Sequence, residues 1–180
     1  MESNITKYAS AIVSIAKDEH KCEEYKSAFV SLLPLFSEHP EVVKYLESYF
    51  VEDEKKYKFV DELCSSYKNE NLCNFLKLLA KKHLIYEYKD IFKQILKLLN
   101  EELNIDEGFL YSTEELSKSQ IDKIEDAVGK KLGHKVELKN IIDKRLIGGV
   151  RVVINDHVYD GSIKYKLETM KNNLKERRTN

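Results

Sequence analysis

The first hundred residues contain no glycine. All six glycines lie from Gly108 onward, and both prolines, Pro34 and Pro40, lie before it. Glycine weakens helix interiors and marks turns, so its absence over so long a stretch implies helix after helix, joined by short polar breaks. Cysteine is scarce and odd in number. Cys22, Cys64 and Cys73 are too widely spaced for a disulfide framework and read as buried free thiols. No apolar run approaches the roughly 20 residues that a membrane-crossing helix needs. The start, MESNITKYASAIVSIAKDEH, has acids near both ends and fits neither a signal peptide nor an Arg-rich transit peptide. A soluble chain that begins in the cytosol is expected.

Charge of one sign is also missing. The net charge is −1, which argues against non-specific nucleic-acid binding as the main task. The balance is mildly uneven: 15 basic against 18 acidic residues up to Ile105, and 15 against 13 beyond it. Catalytic signatures are absent as well. Cys64, Cys73 and His83 are too scattered for a zinc site, and there is no nucleophile elbow, kinase set or Walker motif. Glu23-Glu24 and Glu101-Glu102 are sequence neighbours, which on a helix point in different directions. They read as solvated faces, and neither an independent enzyme nor a cofactor is expected.

What is present is periodicity. Helices are predicted at about 4–19, 22–37, 40–50, 53–67, 70–83 and 86–103. Pro40 suits the first turn of the third, where its missing N–H would have no partner. From Asp106 the texture changes. GFLYS reads as a strand, SKSQIDKIEDAVGKKLG as a helix with Ile121, Ile124, Val128 and Leu132 on one face, and KVELKNIID as a half-buried strand. The expected fold is mainly α: a six-helix bundle over 1–105, then a small α+β domain over 106–180 with a β-hairpin and a C-terminal helix.

The last part, LIGGVRVVINDHVYDGSIKYKLETMKNNL, tests a phosphate-loop reading. Gly148-Gly149 lacks the G-x-G-x-x-G spacing and is followed by a strand. Asp160, beside the start of the final helix, would repel a phosphate. A hairpin fits better. If Asn155-Asp156 form a two-residue turn, Arg151 faces Asp160 and can pair with it. Gly161 then swings the chain out of the strand. Ser162 caps a helix with the stripe Ile163, Leu167, Met170 and Leu174.

Two helices of the bundle carry more apolar surface than a core contact needs. In the first, Ile5, Tyr8, Ala9, Ala11, Ile12, Val13, Ile15 and Ala16 span an arc of roughly 200°, about twice the usual stripe. The surplus lies near Tyr8, Ala11 and Ile15. In the fifth, NLCNFLKLLAKKHL, Leu78 falls outside the stripe of Leu72, Cys73, Phe75, Leu76, Leu79 and Ala80. A surrounded central helix explains this pattern; so does a groove that accepts a partner helix.

The segment LIGGVRVVINDHVYDGSIKYKLETM resembles the C-terminal signature of the F-type ATP synthase delta subunits, the counterparts of the mitochondrial oligomycin-sensitivity-conferring protein. Gly149, Val150, Val152, Ile154, Val158, Asp160, Gly161, Ser162, Ile163 and Leu167 carry it, with Arg151 as the basic residue of the strand. KYASAIVSIA and NFLKLLAKKHL extend it over nearly the whole chain. One departure is local: the family often has Glu-Asn-Gly-Arg after the fifth helix, where this chain has Lys81, Lys82 and His83.

The resemblance implies a non-catalytic stator of a proton-translocating ATP synthase, peripheral on the cytoplasmic side of a bacterial plasma membrane. It implies that N-terminal helices of alpha subunits bind between the first and fifth helices. The matching positions are Tyr8, Ala11, Ile12, Ile15, Phe75, Leu78, Leu79 and Lys82. It further implies that the C-terminal domain holds the peripheral-stalk b subunits, with neither membrane insertion nor nucleic acid involved. The alternative is a helical RNA-binding or regulatory adaptor. That class should show a basic stripe, whereas EDEKKYKFVDE alternates its charges and the final KERR suits a helix C-terminus.

Overall fold

The structure, a computed structural model, describes residues 4–176. The side chain of Leu174, and Arg177 and Arg178 of KERR, lie outside the described residues. The chain divides into two compact units between Leu103 and Asn104.

The first unit holds α1 (Asn4–Asp18), α2 (Cys22–Glu38), α3 (Pro40–Glu47), α4 (Asp53–Cys64), α5 (Glu70–Lys81) and α6 (Tyr88–Glu102), with a 3-10 turn at Ile85–Glu87 leading into α6. Pro40 occupies the first turn of α3, where no hydrogen bond is lost. Asn69 caps α5 by accepting the Leu72 N–H at 2.9 Å. The core is aromatic at its centre. Phe92 and Phe29 lie edge-to-face at 5.0 Å, and Phe36 and Tyr88 pack on Phe92 at 5.7 and 5.9 Å. At one end, Glu19 ties three helices together. It accepts the Tyr25 hydroxyl at 3.0 Å and the Asn71 amide at 2.6 Å, joining the residue after α1 to α2 and to the first turn of α5.

The second unit is β1 (Ile105–Ser112), α7 (Lys118–Leu132), β2 (Lys135–Ile142), β3 (Val150–Ile154), β4 (His157–Asp160) and α8 (Ile163–Glu176). The sheet order is β2-β1-β3-β4. β1 and β2 are parallel, because α7 carries the chain back across one sheet face; the other pairs are antiparallel. Period 2 then puts Leu110, Val136, Leu138, Val152 and Ile154 on the face that α7 covers with Ile121, Ile124, Val128 and Leu132. α7 itself has no fully buried residue, so this core is shallow. Glu125 reaches from α7 to accept the Leu138 N–H at 2.6 Å and so occupies an outward donor of the edge strand β2.

The predicted hairpin is present, with a two-residue turn and Arg151 opposite Asp160 in register. Asn155 takes φ 50, a left-handed backbone that asparagine tolerates. The expected Arg151–Asp160 ion pair does not form. The Arg151 guanidinium instead lies over the Tyr111 ring at 4.8 Å and donates to Asp143 at 3.4 Å. Asp160 is taken by its own turn.

Candidate protein-docking faces

The surplus apolar face found in the sequence divides into buried and exposed side chains. Ile12, Phe75 and Leu79 are buried in the bundle core, so their side chains cannot form the rim of a groove. Tyr8 is half-buried. Ala11, Ile15, Leu78 and Lys82 are exposed, with Ile15 and Leu78 open by 38% and 39%. Helical spacing explains the split. Ala9, Ile12 and Ala16 turn inward, while Tyr8, Ala11 and Ile15 follow one another along the adjacent line of α1. On α5, Leu78 and Lys82 are one turn apart on the outer line, while Leu72, Leu76, Leu79 and Ala80 are buried.

The departure at the end of α5 has a structural answer. His83 takes the left-handed position, φ 53, that glycine would fill without strain. The cap closes through Leu84 N–H to the Leu79 carbonyl at 2.9 Å and His83 N–H to the Ala80 carbonyl at 3.2 Å. The helix therefore ends as a glycine-capped one does. Lys77, a turn earlier, is held by Asp61 of α4 at 2.6 Å.

In the second unit the signature residues form a clasp between β3, β4 and the start of α8. Asp160 Oδ1 accepts the Ser162 N–H at 2.8 Å, and Ser162 Oγ accepts the Tyr165 N–H at 3.2 Å, capping the helix. The hydroxyl bond to Ser162 holds the Asp160 carboxyl below its ordinary value. The Gly161 N–H donates to the Val150 carbonyl at 2.9 Å, and the Ile163 N–H to the Gly148 carbonyl at 3.0 Å. Gly149 sits at φ 79, and a Cβ there would lie 2.6 Å from the Gly161 carbonyl oxygen. This close approach is what the glycine is for; the phosphate-loop idea has no place in it. The clasp leaves Ile163, Leu167 and Met170 exposed as one apolar line on α8.

Beside the clasp lies a group that the sequence reading missed. Asp143, buried at the end of β2, accepts Arg145 through both oxygens, Nε at 2.9 Å and Nη2 at 3.0 Å, and also Arg151. The Arg145 hydrogen bonds lower the Asp143 carboxyl from 3.8 to about 2. The signal was Asp143-Lys144-Arg145 after an apolar strand, but two residues apart is not a spacing that announces an ion pair. Among the described residues, no helix is long and apolar enough to cross a membrane.

Comparison with known proteins shows the family. The family model described as ATP synthase delta (OSCP) subunit matches residues 5–174. The ATP synthase subunit delta of Mycoplasma mobile is 33% identical over 170 residues, covering 94% of each chain. That of Mycoplasma mycoides subsp. mycoides SC is 36% identical over 176 residues, covering 96% of this chain and 97% of the relative. A chain in the cryo-EM structure of the Toxoplasma gondii mitochondrial ATP synthase hexamer shares the fold. Its TM-score is 0.66 at 16% identity, over 96% of this chain and 98% of that one. This protein belongs to the ATP synthase delta (OSCP) subunit family.

Proposed function

We propose that the chain is a non-catalytic stator subunit of a bacterial F-type ATP synthase, on the cytoplasmic side of the membrane. In this reading the N-terminal unit binds an N-terminal helix of an alpha subunit, and the C-terminal unit holds the peripheral-stalk b subunits. The chain resists the torque of rotation, so that turning the central stalk drives ATP synthesis instead of spinning the head. The observation that carries the reading is the pair Ile15 and Leu78. Both are exposed apolar side chains, on the two helices for which the family resemblance implies a groove, while Ile12, Phe75 and Leu79 of the same helices are buried. A partner's amphipathic helix would bury that pair and place its polar side near Lys82.

The b-subunit role rests on α8. Its apolar line Ile163, Leu167 and Met170 alternates with Lys164, Lys166 and Lys171, and a partner helix would cover that line. The relatives give no support to the RNA-binding adaptor. The test is coupling in vesicles whose ATP synthase has been stripped of this subunit. Adding the chain should restore ATP-driven proton pumping, and the Leu78→Asp chain should not. Pumping restored equally by both would remove the α1–α5 face from the account, and no restoration by either would remove the stator role.

A further inference from the structure

The far end of α5 carries a surface that the stator reading leaves unused. His83 takes the left-handed cap position that ends α5. Its imidazole is held in place. The ring stacks on Tyr49 with centroids 4.0 Å apart and planes 17° apart. Its Nδ1 lies 3.3 Å from the Glu47 carbonyl oxygen and 3.9 Å from Glu47 Oε1.

Around this stack the surface is aromatic. Tyr49 is 80% exposed, its neighbour Phe50 completely so, and Tyr86 60%. Tyr86 is close enough to feel the charge of Glu47, although its own hydroxyl is engaged by Glu87 at 2.5 Å. Glu47 Oε2 is buried and accepts no hydrogen bond. The Glu47 side chain as a whole remains 26% exposed. Residues 45–54, YLESYFVEDE, hold four carboxylates and no cation, and of the four Glu52 is paired with Lys55 at 3.1 Å. Lys81 and Lys82 stand just before His83 in the chain, yet neither pairs with Glu47 among the described ion pairs.

The chemistry selects the ligand. Open aromatic faces beside a partly exposed carboxylate recognise a cation. The negative sign repels phosphates, whether of nucleic acid or of anionic lipid. A flat guanidinium stacks on rings and donates in a fork, whereas an ammonium does neither and is more strongly hydrated. We propose that the surface of Glu47, Tyr49, Phe50, His83 and Tyr86 docks a partner-protein segment presenting an arginine flanked by an apolar side chain. The guanidinium lies against the Tyr49–His83 stack and donates to the Glu47 carboxylate. The bare Phe50 ring takes the apolar neighbour, as exposed aromatics do at the centre of interfaces. The site shares no residue with the Ile15 and Leu78 face, so it does not rest on the groove reading.

The probe is a tetra-arginine peptide amide, titrated into the isotope-labelled full chain and followed by NMR, with tetra-lysine of equal charge beside it. Tetra-arginine should saturably shift the signals of Tyr49, Phe50, His83 and Tyr86. Tetra-lysine should bind roughly fivefold more weakly or less well still. Glu47→Gln, which keeps the shape and removes the charge, and Tyr49→Ala, at an exposed position, should each weaken binding about tenfold with unchanged melting. Leu78→Asp should leave it intact. Shifts absent or located elsewhere, equal binding of the two peptides, or binding unaffected by Glu47→Gln would each overturn the proposal.

Discussion

The two units solve the problem of holding together differently. Among the described residues the bundle's core cluster holds twenty-three buried apolar side chains, whereas the cluster of the C-terminal unit holds five, helped by the half-buried line of α7. Burial scales with area, so the bundle has a deep source of stability and the C-terminal unit a shallow one. The second unit compensates with directed contacts: the Asp143–Arg145–Arg151 cluster, the Glu125 bond to the sheet edge, and the glycine-lined clasp at α8. A deeply cored unit and a lightly cored one suit the proposed role, in which each unit binds a different partner.

The comparison can be broken most sharply in the bundle. Phe92→Ala empties the centre of the aromatic cluster, and the loss should be about 3–5 kcal/mol. Chemical unfolding followed by hydrogen exchange should show the bundle's protection falling while that of the sheet stays. Gly149→Ala is the counterpart in the second unit. It combines a left-handed φ with a Cβ 2.6 Å from a carbonyl oxygen, and should cost at least about 2 kcal/mol. Here the exchange should reverse, with the sheet and α8 losing protection and the bundle keeping it. If both variants destabilised both units alike, the contrast between them would be wrong.

Acid and alkali sharpen the same contrast. Asp143 is depressed on folding by Arg145, so the stability it contributes is complete above the ordinary 3.8 and is lost as the pH falls toward about 2. Tyr25 moves the other way. Burial first, and its bond to Glu19 after that, raise its phenol to about 12, so its contribution is complete below 10 and is lost as the pH rises through 12. Acidification should therefore loosen the C-terminal unit, and Asp143→Asn should remove that pH-dependent step. Strong alkali should weigh on the bundle, and Tyr25→Phe should relieve it. Hydrogen exchange resolved by unit checks both directions.

Most of the architecture was legible because it is written in local patterns. The lack of glycine and the spacing of apolar residues located the six helices. Alternation in KVELKNIID located a strand, and Asn155-Asp156 located the hairpin turn. The end of α5 was legible only as a departure, since nothing local says that His83 will adopt the glycine conformation. The parallel pairing of β1 with β2 depends on where α7 crosses, which periodicity does not report. Which half of an apolar arc faces the core depends on the neighbouring helices. Ile12, Phe75 and Leu79, which the resemblance placed in a groove, are thus buried in the bundle core. Arg151 was placed in the right register and with the wrong partner, because Asp143 approaches it from outside the hairpin.

The central claim is that the α1–α5 face binds a partner helix through Leu78 and Ile15. It is tested most directly by calorimetric titration of the full chain with a synthetic alpha-subunit N-terminal peptide, wild type against Leu78→Asp. Covering that leucine should contribute roughly 2 kcal/mol, so the charged variant should bind at least about tenfold more weakly with unchanged folding. Equal affinity for the two chains, or no binding to either, would contradict the account.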